Sequence, residues 1–175
     1  MNLDQFAQDP DAYRVIAETL SETGTFGLPT ASQTRAASDR GAPELGATMV
    51  ARPTAFRPPL YPYLLSWLTP QGKLHPLLIG ALHLGLGGLT VLCTVSIASR
   101  LIDRGRIGGA SMLAAALVVL DPILLQQSTL VMTETIATAS ATLVIWFWVC
   151  RMSGSATVAK GLILGGLLAL TYLCR

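Results

Sequence analysis

Charge is scarce in this sequence, and acidic charge nearly vanishes from its second part. Only 13% of the 175 residues are Asp, Glu, Lys or Arg, about half of the ~25% usual in soluble domains. Residues 1–73 carry six Lys/Arg against seven Asp/Glu, whereas residues 74–175 carry six against three, namely Asp103, Asp121 and Glu134. Two His and three Cys, with no CxxC pair, argue against a Cys/His zinc site and against a disulfide framework. Cys93, Cys150 and Cys174 all lie in apolar runs and read as small buried hydrophobes. There is no P-loop, no dinucleotide fingerprint and no Ser-His-Asp order. The pI near 8.6 follows from loop cations rather than from a nucleic-acid-binding surface, so no nucleic-acid partner is expected. Residues 1–73 also lack a hydrophobic span and a signal-peptide pattern.

What the sequence does have is apolar length. Half of it (51%) is apolar, and the mean hydropathy is +0.54. Four apolar runs cover residues 74–98, 107–125, 130–150 and 158–174, each near the ~17–25 residues that a membrane helix needs. Asp121-Pro122 interrupts the second, whose clean part stops at Leu120. The expected fold class is all-α: a multi-span transmembrane helical bundle behind an N-terminal extracytoplasmic segment of short and interfacial helices and loop, residues 1–73. Arg100, Arg104 and Arg106 fall between the first two runs, and Arg151 and Lys160 between the last two. The positive-inside rule assigns those loops to the cytoplasm. Residues 1–73 and the Asp121–Thr129 turn then share the outer face of a cell (inner) membrane.

In the polar head, Asp9-Pro10 reads as an N-cap followed by Pro at the first helical position. Tyr13, Ile16, Ala17 and Leu20 recur at helical spacing, and Gly24 ends the helix. Residues 24–53 read as a long loop. Arg57-Pro58-Pro59 forces an extended turn. Leu60–Leu68 then reads as a short helix in the interface, with Tyr61, Tyr63 and Trp67 at headgroup depth. A polar head of this length needs an export signal, so the sequence is expected to be a piece of a longer multi-span protein.

Several residues could carry chemistry. Asp9, with Asp11 two residues on, could act as a general base at the outer face, or Asp9 could simply cap a helix. Arg57 could grip a phosphate with its guanidinium fork, or extend toward lipid headgroups. Glu134, near the outer end of the third run, either faces a polar cavity or pairs within the bundle. His75 and His83 read as an interface anchor and a helix–helix hydrogen-bonding group. The paired glycines of the apolar runs read as close-packing positions.

The order of these pieces resembles the GT-C membrane glycosyltransferases, in the branch of protein O-mannosyltransferases and lipid A aminoarabinose transferases. The matching residues are Asp9-x-x-x-Tyr13-x-x-Ile16-Ala17-x-x-Leu20, then Phe56-Arg57-Pro58-Pro59-Leu60-Tyr61-Pro62, then Asp121-Pro122-x-Leu124 leading to Thr133-Glu134. The resemblance implies Asp9 as the base or orienting group at the acceptor, and Arg57 as the contact to the phosphate of a polyprenyl-phosphate-linked sugar. Tyr13, Glu134 and Asp11 would line the substrate. The acceptor would be a glycan, lipid or protein hydroxyl, with inversion by direct displacement. Aminoarabinose transferases have an acidic metal ligand where this chain has Phe56, so a divalent metal has no clear site here. The alternative from another class is a small non-catalytic multi-span membrane protein, an assembly or scaffold subunit.

Overall fold

Helix dominates, as the long apolar runs lead one to expect. The computed structural model describes residues 12–29, 51–55, 57–69, 75–127, 133–152 and 157–174. The head contributes α1 (Tyr13–Thr23), strands β1 (Gly27–Pro29) and β2 (Ala51–Pro53), and α2 (Leu60–Ser66). The apolar part contributes α3 (Pro76–Leu101), α4 (Gly109–Val119), α5 (Pro122–Gln127), α6 (Glu134–Arg151) and α7 (Val158–Leu173).

The helix ends have identifiable causes. Gly24 takes a left-handed φ of 69° and its N–H bonds the Leu20 carbonyl, which closes α1. At the other end Ala12 has a φ of 60°, a left-handed backbone that cannot continue a helix. The helix therefore begins at Tyr13, and the expected cap by Asp9 with Pro10 at the first helical position does not apply to it. Pro76 starts α3, with the His75 imidazole accepting from the Leu77 N–H at 3.3 Å. Asp121 separates α4 from α5: its Oδ1 accepts from the N–H groups of Ile123 and Leu124 at 2.8 and 3.1 Å.

The segment read as one long loop contains a strand pair. β1 and β2 are antiparallel, with Leu28 opposite Arg52. Gly27 is required there because a Cβ would stand 2.7 Å from the Arg52 carbonyl carbon.

Helix α3 packs along α4 and α6, and α7 packs on α6. One apolar core ties the head to the bundle: Tyr13 and Ala17 from α1, Tyr61 and Leu65 from α2, Ile79 from α3, Ile136 from α6, and Cys174 just after α7. Tyr61, expected at headgroup depth, is instead fully buried in this core, while Tyr63 and Trp67 are exposed. Leu84, Leu92, Leu117, Leu120 and Leu162 all present open apolar surface, which requires lipid or protein against it. Helix α3 is long and apolar enough to cross a membrane. Its 26 residues amount to roughly 39 Å at 1.5 Å per residue. Helices α4 and α7 are shorter apolar helices.

Candidate functional site

A column of rings runs from the head into the bundle. The Arg57 guanidinium lies 5.4 Å from the centroid of the Tyr13 ring. Tyr13 meets Tyr61 edge to face at 5.5 Å, and Tyr61 stacks on His83 at 6.2 Å. The Tyr61 hydroxyl and His83 Nε2 share a hydrogen bond of 2.8 Å. Local sequence explains how each member arrives. Tyr13 heads the buried face of α1. The two prolines after Arg57 turn the chain into α2, which delivers Tyr61 one residue into the helix. His83 lies about two turns into α3.

Guanidinium over a ring is an electrostatic attraction to the π face, worth about 0.5–2 kcal/mol depending on desolvation. The half-buried Arg57 is thus drawn toward the Tyr13 ring.

The structure therefore brings together two sequence-predicted site residues, Tyr13 and Arg57. Asp9 and Asp11 lie outside the described residues. Glu134 is exposed in the first turn of α6, where a negative charge suits the helix dipole, and it is not joined to the ring column. His83 is the helix–helix hydrogen-bonding group that the sequence suggests, and the structure identifies its partner as Tyr61 of α2. Among the described residues no group of three or more His, Cys, Asp and Glu could hold a metal ion.

Beside the column, α3, α4, α5 and α6 border an open hollow of about 520 Å³. Its wall is apolar, and Gly87 and Gly88 open it: a Cβ at either would touch nothing within 4 Å. His83, Thr90, Thr135 and Thr138 are its polar members. The Thr135 Oγ1 is shielded from solvent and has no hydrogen-bond partner among the described residues, an arrangement that ordinarily costs about 1–3 kcal/mol. At the far end Trp146 Nε1 donates to Ser96 Oγ at 2.9 Å. Thr135 shares the hollow with His83 while Trp146 meets Ser96, so α3 and α6 run in the same direction.

A second polar centre sits at the opposite end of the bundle. Asp103 Oδ2 accepts from the Gly108 and Ser111 N–H groups at 3.2 and 2.8 Å, and from the Ser111 hydroxyl. The hydroxyl bond, followed by the backbone donors, holds the Asp103 carboxyl below the usual carboxylate range. This carboxylate is committed to starting α4.

No protein-family model, no curated protein and no solved structure matches the chain.

Proposed function

We propose that this chain forms part of a multi-span membrane glycosyltransferase that moves a sugar from a polyprenyl-phosphate donor to an acceptor hydroxyl at the extracytoplasmic face. The observation that carries the reading is Arg57 over Tyr13 at 5.4 Å. It brings the Arg-Pro-Pro turn onto the helix that follows Asp9, four residues before Tyr13 in sequence. In this reading Asp9 accepts the proton of the attacking hydroxyl, and Arg57 stabilises the charge that grows on the departing lipid phosphate. Donors fixed in place before the reaction need no reorganisation during it, and the Tyr13 ring draws Arg57 toward it. In this reading the four apolar runs cross the membrane, with Arg100 at the end of α3 and the loop of Arg104 and Arg106 on the cytoplasmic side.

A second reading, a non-catalytic assembly subunit, draws on Glu134, which is exposed and apart from the ring column. It also draws on the bland role that a stacked Arg57 has as structural cement.

The test uses the full-length gene product in its native membrane, supplied with radiolabelled polyprenyl-phosphate sugars. Asp9→Asn and Arg57→Ala are each expected to abolish transfer at unchanged protein level. Undiminished transfer in Asp9→Asn removes the base assignment. Absence of transfer by the wild type from every donor supports the assembly subunit.

A further inference from the structure

We propose that the crevice between the end of α6 and the start of α7 seats the headgroup of an anionic phospholipid, with its phosphate between Arg151 and Lys160. The inference rests on the reading in which α6 and α7 cross the membrane, and not on sugar transfer.

Packing gathers positive charge at one end of the bundle. Ser96 Oγ lies 3.8 Å from Cys150 Sγ and accepts from Trp146 Nε1 at 2.9 Å, so the C-terminal ends of α3 and α6 stand together. That end carries Arg100 in the last turn of α3, Arg151 in the last turn of α6, and the turn residues Arg104 and Arg106. Lys160 of α7 joins them across the crevice. The anion at this end among the described residues is Asp103, whose carboxylate is engaged by the donors of Gly108 and Ser111. Glu134 stands at the other end, in the first turn of α6.

The crevice has a volume of about 350 Å³ and is lined by Phe147, Cys150, Arg151, Lys160 and Ile163. Two cations border it, and neither Asp nor Glu does. Helix dipoles account for one of them. Arg151 ends α6, where a cation is favoured, whereas Lys160 is in the first turn of α7, where a cation is disfavoured. That first turn holds no acidic residue as compensation. A phosphate between the two side chains supplies it, and guanidinium and ammonium are both phosphate donors.

Apolar surface beside the cations selects a lipid over a soluble phosphate. Phe147 and Ile163 line the same crevice, and Val158, Leu162 and Ile163 of α7 are exposed next to Lys160. A ligand that joins a phosphate to acyl chains matches both surfaces, and free phosphate matches only the cations. Phosphatidylcholine would bring its quaternary ammonium toward Arg151 and Lys160, so a headgroup of net negative charge is selected. The contact is ionic and involves no covalent step.

The test uses the full chain purified in detergent micelles and titrated with phosphatidylglycerol or phosphatidylcholine, with bound lipid counted by native mass spectrometry. The expected result is one phosphatidylglycerol held about tenfold more tightly than phosphatidylcholine. Arg151→Gln and Lys160→Gln are each expected to weaken it about fivefold. Arg106→Gln removes a cation outside the crevice and should change it less than about twofold. Equal retention of the two lipids overturns the site, and so does an equal loss in Arg106→Gln, which would mean a diffuse field. Displacement by glycerophosphoglycerol, the same headgroup without acyl chains, at the concentration of the intact lipid overturns the lipid assignment in favour of a soluble phosphate. Alkaline carbonate extraction of native membranes tests the underlying reading separately. Release of the chain overturns the membrane-spanning reading, and retention without lipid preference overturns the site alone. Circular dichroism of each variant checks that it folds.

Discussion

Tyr61 and His83 are joined hydroxyl to imidazole at 2.8 Å, 22 residues apart in sequence and both buried. The pair is where the polar head is bonded into the apolar bundle, because Tyr61 belongs to the short helix α2 and His83 to the long helix α3. Tyr61 also braces the edge of Tyr13, on which Arg57 rests. Arg57, Tyr13, Tyr61 and His83 thus form one chain of contacts from the head into the bundle.

Tyr61→Phe tests what the bond contributes. The ring remains, the hydroxyl goes, and the buried His83 loses that partner. The expected destabilisation is about 1–3 kcal/mol, read as a lower denaturation midpoint in detergent micelles. An unchanged midpoint would show that the bond contributes nothing to docking of the head.

Asp103 makes a pH prediction. Its folded-state carboxyl is held below the ordinary range by the Ser111 hydroxyl and the amides of Ser111 and Gly108. A depressed carboxylate contributes stability at pH above its unfolded value, and that contribution is lost as pH falls through the folded value. Amide hydrogen exchange at Gly108 and Ser111 is therefore expected to be slow at neutral pH and to quicken on acidification below the usual carboxylate range. In Asp103→Asn the acid-dependent part should disappear. Identical pH profiles in the two proteins would refute the assignment.

Neighbouring glycines should respond in opposite ways. A Cβ at Gly108 would stand 2.7 Å from the Asp103 carboxyl carbon, whereas at Gly109 it would touch nothing within 4 Å. Gly108→Ala should displace the Asp103 cap and raise exchange at the Ser111 amide. Gly109→Ala should be neutral or stabilise α4 by up to about 1 kcal/mol. Equal tolerance at both positions would contradict the close approach of Asp103.

The proposed orientation is checked by single cysteines in the loop of Arg104 and Arg106 that follows α3, in a background with Cys93, Cys150 and Cys174 replaced. Arg106→Cys should resist an impermeant thiol reagent added outside intact cells and react after permeabilisation. Labelling from outside would invert the orientation and move the head away from the face assigned to it.

Local pattern made much of the fold legible. The Pro-initiated α3, the Gly24 stop, the turn of two prolines before α2 and the break at Asp121-Pro122 follow from backbone chemistry within a few residues. Those elements lie close to where the sequence puts them. Side chains that meet across the fold were not legible. Tyr61 has the composition of an interface anchor, yet its position one residue into α2 turns it inward onto Tyr13 and His83. Asp103 looks like one more loop residue until the chain folds back and aims the Ser111 hydroxyl at it. The strand pair was hidden because Gly27–Pro29 and Ala51–Pro53 are too short to show a period.

For the candidate site, the sequence by itself determined the chemical inventory: a guanidinium ahead of two prolines, Tyr13 on the apolar face of a short helix, and an apolar α3 of membrane-crossing length. Periodicity and proline geometry act over neighbouring residues, so these needed no tertiary information. Only the tertiary structure decided that Arg57 lies by Tyr13, that His83 meets Tyr61, and that Thr135 borders the same open hollow as the glycines of α3. Each depends on how helices distant in sequence are packed, and that packing is set by volumes and hydrogen bonds that only the assembled chain can satisfy.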